Sequence, residues 1–454
     1  MATRLANAII LLFVAANLAV IAVFEQRYGG APIGFWRGFL FYGGPAVLAL
    51  AGLASFRASK AARFSLVACI LAALGALYGA EVYLGSPRSK GVDTTAAYAA
   101  RAGITFDPRT MVEAVADLRA EGKAAMPAFF PRTLIRRPAA PDGGDLYPLS
   151  NHANRLIVHC NEEGPWRLYE TDEQGFNNPP GLWDGAPIEL ALIGDSFAWG
   201  VCVPRADSIA DRLRHRAPRT ATLGMSADGP LAELATLREY LPALRPKTVL
   251  WLFYENDLTD LEAERTNPLL MAYLDPAFSQ NLYERRPEIE AYLDAYMADR
   301  LAQIAAEDAR KGGVAAETRS LTGILAFARL RLLLAGIMGR TSFDWPLYRR
   351  ILEGARDTVA GWGGEIVFVY LPSPNQLLGV PDLTNYRQAI KGKLFGIAGD
   401  LGIPVIDTEP GLEAVEDPYR LAHFAGGHFS SEGYAVVARE ILAGLEAAGR
   451  LSAP

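Results

Sequence analysis

From about residue 146 the chain alternates short apolar runs with segments of helical periodicity, and this alternation constrains its fold more than any other feature. The runs are Ile188–Ile193, Ala221–Leu223, Thr248–Tyr254, Ile366–Leu371 and Val405–Ile406, each bounded by turn signals. Helical spacing fits Ser208–Arg216, Leu231–Leu244, Asp344–Trp362, Asn385–Leu401 and Gly433–Ala448. A helix between two strands returns the chain to the same edge, so the strands run parallel. The expectation over 146–454 is an α/β domain with a doubly wound, parallel, five-stranded sheet. A helical insertion at roughly 262–343 separates the third and fourth strands. It contains the charged run Pro287–Arg310 and the apolar run Leu321–Met338. Arg329 and Arg331 make the latter costly as a membrane span, so it is expected to lie over the sheet or against a membrane surface.

The N-terminus follows a different rule. The chain is 51% hydrophobic, and the excess is concentrated in Leu5–Phe24, Phe39–Phe56 and Phe64–Leu84. Helices over about 5–24, 37–56 and 64–84 would each approach the roughly 20 residues that a bilayer core requires. A cleaved signal peptide accounts less well for the first, because its run is long and two more follow. Arg57, Lys60 and Arg63 lie between the second and third stretches without an acid, whereas Arg27 and Arg37 accompany Glu25 in the preceding loop. Positive-inside bias puts 57–63 in the cytoplasm and everything after Leu84 on the far side. Residues 1–85 are thus expected to be a three-helix transmembrane anchor, and 86–145 a partly helical connector. The connector includes Thr94–Ala102, Met111–Glu121 and the Pro-rich run Pro127–Pro141.

A net charge of −6, with no basic patch interleaved with aromatics, argues against nucleic acid as a partner. Neither a phosphate-cradling glycine loop nor a dinucleotide fingerprint occurs. Of the three cysteines, Cys69 lies in the third apolar stretch. Cys160 and Cys202 fall in the exported part, where an oxidising compartment favours a disulfide; two buried free thiols are the alternative.

Chemistry in an open parallel sheet gathers at the carboxyl ends of its strands. Those ends carry Gly194-Asp195-Ser196, then Gly224-Met225-Ser226-Ala227, then Glu255-Asn256-Asp257; His428 stands just before the last helix. A hydroxyl, an amide and an imidazole are the parts that acyl transfer needs. The set resembles the SGNH hydrolase superfamily, the GDSL-type esterases, in four blocks over roughly 146–450 that follow the family's order. The resemblance implies a flavodoxin-like fold, Ser196 as nucleophile, His428 as base, and Asn256 as oxyanion donor. It also implies an oxyanion N–H at the position of Ala227, where the family usually has glycine; that amide would serve if φ there is negative. The family's orienting acid stands three residues before the histidine, where this chain has Ala425. Asp407 and Asp417 are candidate substitutes; a Ser-His dyad or an inactive domain are the alternatives. The run Tyr169–Pro179 is similar to a segment of membrane-tethered members, or is an ordinary turn.

Gly194, Asp195 and Asp257 are expected to be supporting residues in the turns. Among the five histidines, His152, His159 and His215 read as surface or packing residues. His423 and His428 lack further ligands at metal spacing, so no metal and no cofactor is implied. Trp199 and Tyr254 flank the site. The expected function is a membrane-anchored, exported serine esterase that cleaves an ester, such as an O-acetyl group, through an acyl-enzyme on Ser196. The alternatives are an O-acyltransferase acting on a cell-envelope glycan with a membrane partner, and a non-catalytic glycan-binding or scaffold module.

Overall fold

The computed structural model describes residues 1–28, 39–84, 105–135, 146–311, 343–377, 386–422 and 427–451. They form two compact units, one from the N-terminal helices and one from the remainder. The stretches Thr94–Ala102 and Leu321–Met338 lie outside the described residues, as do His423 and Ala425.

In the first unit, helices Ala2–Tyr28, Gly44–Ala54 and Lys60–Leu84 meet through Ala6, Ile10, Val14, Ala49 and Val67. Among the described residues two helical segments are long and apolar enough to cross a membrane, Ala2–Val23 and Lys60–Tyr83. This corrects the expectation of three full spans. The middle stretch begins with a π turn at Phe39–Gly43, and its α-helix has only 11 residues. Although the flanking turns Phe39–Gly43 and Ser55–Arg57 continue the coil, the regular α-helix is only about 16 Å long at 1.5 Å per residue. Pro45 is the reason: without an N–H it suits the first turn of a helix, and it starts the α-helix well inside the apolar run.

The second unit holds a five-stranded, fully parallel sheet. Its strands are β4 (Leu190–Ile193), β5 (Thr220–Thr222), β6 (Thr248–Phe253), β7 (Glu365–Tyr370) and β8 (Val405–Asp407), in the order β5-β4-β6-β7-β8. Both faces are covered. Ala191, Ile193, Val249, Trp251, Phe253 and Phe368 pack with helices Pro230–Leu244 and Trp345–Ala360. Leu190, Leu192, Leu250, Leu252, Val367 and Val369 pack on the other side with Ile209–Arg214 and Ser431–Ala447. Neighbouring residues of each strand thus bury on opposite faces. That is why the strands read as continuous apolar runs rather than alternating ones. The chain leaves β4 toward β5 and returns to its other side with β6. The end of β4 is therefore the point where strand order reverses and where such sheets bind ligands.

A second sheet was not anticipated. β1 (Ala125–Pro127) pairs parallel with β2 (Leu156–His159), which pairs antiparallel with β3 (Arg167–Glu170). These strands are short, and β3 begins and ends on charged residues, so they leave no apolar run to read. The expected connector is accordingly built into the domain. Helix Met111–Ala120 is fixed by a capping box between Thr110 and Glu113, and its Ala114 and Val115 pack on Ala125 and Val158. The run Tyr169–Pro179 folds into a buried turn around Asp172. One oxygen of that carboxylate accepts from the amides of Gln174 and Phe176, the other from the side chains of Asn178 and Trp183.

The turn after β5 is pressed against the helix that follows β4. A Cβ at Gly224 would lie 2.5 Å from the Ala198 Cβ and 2.6 Å from the Trp199 amide nitrogen, both in a rigid element. Gly224→Ala is expected to lower unfolding free energy by about 1–3 kcal/mol, as overpacking does. Chemical denaturation of wild type and variant checks this; equal midpoints would contradict it.

Candidate active site

Ser196 opens the short helix Ser196–Trp199 directly beyond β4. Asp195 caps that helix: its Oδ1 accepts the Phe197 amide at 2.9 Å. Gly200 ends it with φ of +80°, which glycine adopts without strain. The Ser196 side chain is buried within this frame.

His428 arrives from the other end of the domain. Ser430 caps the last helix by accepting the Gly433 amide at 3.2 Å, which fixes the chain two residues beyond His428. Tyr434, in the first turn of that helix, donates its hydroxyl to the Val201 carbonyl at 3.3 Å. The His428 ring lies against Phe197, 5.3 Å between centroids. In this position His428 Nε2 is 3.0 Å from Ser196 Oγ. The serine hydroxyl has a second acceptor, Asp195 Oδ2, at 3.3 Å. It has a single hydrogen, and the shorter contact is to the imidazole.

The far nitrogen, Nδ1, lies 3.0 Å and 3.2 Å from the two carboxylate oxygens of Glu162. Neither Asp407 nor Asp417 is near it, contrary to the expectation for a substitute acid. Asp407 pairs with Lys391 at 2.6 Å, and Asp417 caps the Tyr419 amide at 3.1 Å. Glu162 comes from the loop between β2 and β3, far upstream of the fourth block. The structure also joins Cys160 to Cys202, with their Cα atoms 5.3 Å apart. Cys160 precedes Glu162 by two residues and Cys202 follows Ser196 by six, so this bond ties the acid's loop to the serine's turn. The cluster of Cys160, Glu162 and Cys202 has ligand-like spacing, but both sulfurs are consumed by the disulfide.

The oxyanion side departs from the expectations. Ala227 has φ of +64°, not negative. It holds the left-handed conformation that a glycine would take, at a cost of about 1–2 kcal/mol. A buried histidine holds the turn there: His159 Nε2 is 2.8 Å from Ser226 Oγ. Burial pushes the His159 pKa down to about 3, so its imidazole is neutral. Among the described residues, neither the Ser196 nor the Ala227 amide donates a hydrogen bond. Asn256 is placed otherwise. Its Nδ2 donates to Asp195 Oδ2 at 3.2 Å and Asp260 Oδ2 at 2.9 Å, so the amide braces two carboxylates. Asp257, like Asp195, serves a turn: its Oδ2 accepts the Tyr254 amide at 3.0 Å. Of the flanking aromatics, Trp199 is fully buried while Tyr254 is partly exposed and packs on Phe197, the rings tilted at 40° with centroids 4.2 Å apart.

Behind Asn256 lies a set of buried acids that sequence reading did not single out. Glu264 accepts the Gly229 and Leu231 amides at 2.7 and 2.9 Å, and burial raises its pKa to about 7. Burial raises Asp260 to about 6 against the pull of Arg132, which lies 2.5 Å from it. Asp195, Asp228, Glu233 and Asp257 are likewise raised, chiefly by burial. Burial thus opposes the build-up of negative charge in this cluster beside the serine.

No protein-family model and no curated protein matches the chain. Solved structures similar to it are GDSL-type lipases and acylhydrolases. TesA is 11% identical with a TM-score of 0.34, the match covering 57% of this chain and 98% of TesA. The lipase/acylhydrolase from Enterococcus faecalis is 13% identical at a TM-score of 0.34, covering 58% and 97%. A member of the lipolytic protein G-D-S-L family from Veillonella parvula is 13% identical at 0.32, covering 56% and 97%.

Glu264 and Asp260 bind their protons more tightly in the folded chain than at the ordinary values of 4.5 and 3.8. The stability they contribute is present below about pH 4 and is lost as pH rises through their folded values. The wild-type melting temperature is therefore expected to fall between about pH 5 and about pH 8. Glu264→Gln should be less stable throughout yet show a shallower fall; an unchanged slope in thermal melts would contradict the assignment.

Proposed function

We propose that the protein is a serine ester hydrolase of the SGNH type, with Ser196, His428 and Glu162 as its catalytic triad. The observation that supports this most is the unbroken relay from Ser196 Oγ to His428 Nε2 and from His428 Nδ1 to Glu162 at the carboxyl edge of the parallel sheet. Ser196 Oγ attacks the ester carbonyl as His428 Nε2 takes its proton. The Glu162 carboxylate accepts the Nδ1–H, which leaves Nε2 bare to act as base, and it stabilises the imidazolium that forms. Although φ at Ala227 is positive, contrary to the condition set for its use, its backbone takes the conformation a glycine would there, and among the described residues its amide bonds no other group. It and the Ser196 amide are therefore the donors left for the oxyanion, while Asn256 holds Asp195 beneath the serine turn. His428 then returns the proton to the leaving alcohol. Water, activated by the same imidazole, hydrolyses the acyl-enzyme.

The same reading makes the domain exported. The cations Lys60 and Arg63 at the start of helix Lys60–Leu84 favour a cytoplasmic end there. The Cys160–Cys202 bond agrees, since disulfides persist in oxidising compartments. An envelope sugar hydroxyl meeting the acyl-enzyme in place of water would make the protein an O-acyltransferase. The membrane-type helices favour such an acceptor, and O-acetyl esters suit either direction.

The full chain in detergent is expected to hydrolyse p-nitrophenyl acetate and to take a fluorophosphonate on Ser196, mapped by mass spectrometry. Ser196→Ala should lose at least about 10³-fold in kcat and all labelling. Equal rates in wild type and variant would contradict the assignment. Glu162→Gln should keep KM and lose about 10²- to 10⁴-fold in kcat, as an orienting acid does. For topology, a reporter fused at position 90 should be active only outside the cytoplasm.

A further inference from the structure

The members of the relay stand on two separate sheets. Ser196 and His428 are placed by the five-stranded sheet and the last helix, whereas Glu162 is carried by the β2–β3 hairpin of the small sheet. No strand ladder joins the two sheets among the described residues. Side chains cross between them instead. His159 reaches Ser226, the Tyr169 hydroxyl donates to the carbonyls of Gly200 and Val203, and the Arg205 guanidinium donates to the Glu170 carbonyl. All of these hold the body of the hairpin. At its tip, Gly164 and Asn161 bond the backbone of Asp107, and the link from beside Glu162 to the serine's turn is the Cys160–Cys202 disulfide.

The disulfide also touches the relay. Cys202 Sγ is 3.8 Å from His428 Nδ1, and the Glu162 amide donates to Cys160 Sγ at 3.4 Å. Both cysteines have positive φ, +63° and +70°, a region that side chains with a Cβ avoid. The Glu162–His428 contact is a non-covalent one between side chains 24% and 21% exposed, whereas the disulfide is the covalent restraint on the tip.

We propose that the Cys160–Cys202 disulfide is a positioning element for catalysis: it keeps Glu162 on His428, and ester hydrolysis depends on its oxidised state. This rests on Ser196 being the nucleophile. A dithiol such as dithiothreitol supplies two electrons and two protons, leaves as its cyclic disulfide, and yields the free thiols of Cys160 and Cys202. The hairpin tip then moves without unfolding the domain, because the other links remain. The imidazole loses its orienting carboxylate, while the serine and its turn stay in place.

The test uses the full chain in detergent, oxidised or reduced with dithiothreitol, together with the Cys160→Ser/Cys202→Ser double variant and Glu162→Gln. Steady-state hydrolysis of p-nitrophenyl acetate is measured across pH, with circular dichroism as the check on folding. Reduction and the double variant are expected to lower kcat about 10²-fold with KM little changed, to alter the pH profile as Glu162→Gln does, and to recover on reoxidation in the wild type alone. Reduction should add little to the loss already present in Glu162→Gln, because both remove one interaction. Wild-type kcat and pH profile in the reduced protein would overturn the proposal, as would losses that multiply when combined. Activity lost together with the circular dichroism signal would overturn it in favour of a fold-wide role. If oxidised wild type is as inert to fluorophosphonate as Ser196→Ala, the nucleophile reading fails and the proposal with it. Labelling that persists unchanged on reduction sinks the proposal alone.

Discussion

An imidazole works as a base for a serine only when its proton sits on the nitrogen facing away, and the proposed chemistry depends on that condition. His428 meets it through contacts from opposite ends of the domain: Ser196 at one nitrogen, Glu162 at the other. The sheet positions the first pair. β4 ends where strand order reverses, Asp195 caps the helix that begins with Ser196, and the last helix docks through Tyr434 onto the same turn. The third member is supplied by a hairpin outside that sheet and tied to it by covalent chemistry.

Buried carboxyls surround this arrangement, and they carry a second constraint. Six acids near the serine turn have pKa values raised mainly by burial. Ionised together they would oppose one another and the oxyanion. They also act as turn braces: Glu264 ties the start of helix Pro230–Leu244, and Asp195 and Asp260 hold the Asn256 amide between them. Asn256 in this structure is thus part of the frame beneath the serine, and the amides of Ser196 and Ala227 are the donors left open.

The five-stranded sheet was legible in the sequence because buried parallel strands are continuous apolar runs, and β4 through β8 fall within a few residues of the runs that mark them. Ser196 and His428 were legible because strand ends and helix starts place them. Glu162 was not, since an acid is normally sought beside its histidine, and position 162 follows a strand of only four residues. One signal did exist. Pairing Cys160 with Cys202 brings anything two residues past Cys160 to the serine turn, and Glu162 is there. The small sheet was hidden because strands as short as Ala125–Pro127 carry too few side chains to show a period. The middle N-terminal stretch was over-read because its apolar length masked the Pro45 helix start.

The proton on His428 is the most direct test of the triad. Selective ¹⁵N-histidine labelling of the full chain reports which imidazole nitrogen is protonated in the neutral form. The expected result is the proton on Nδ1, with Nε2 bare as acceptor, and a redistribution toward Nε2–H in Glu162→Gln. A resting imidazole already protonated on Nε2 in wild type, unchanged by Glu162→Gln, would contradict it.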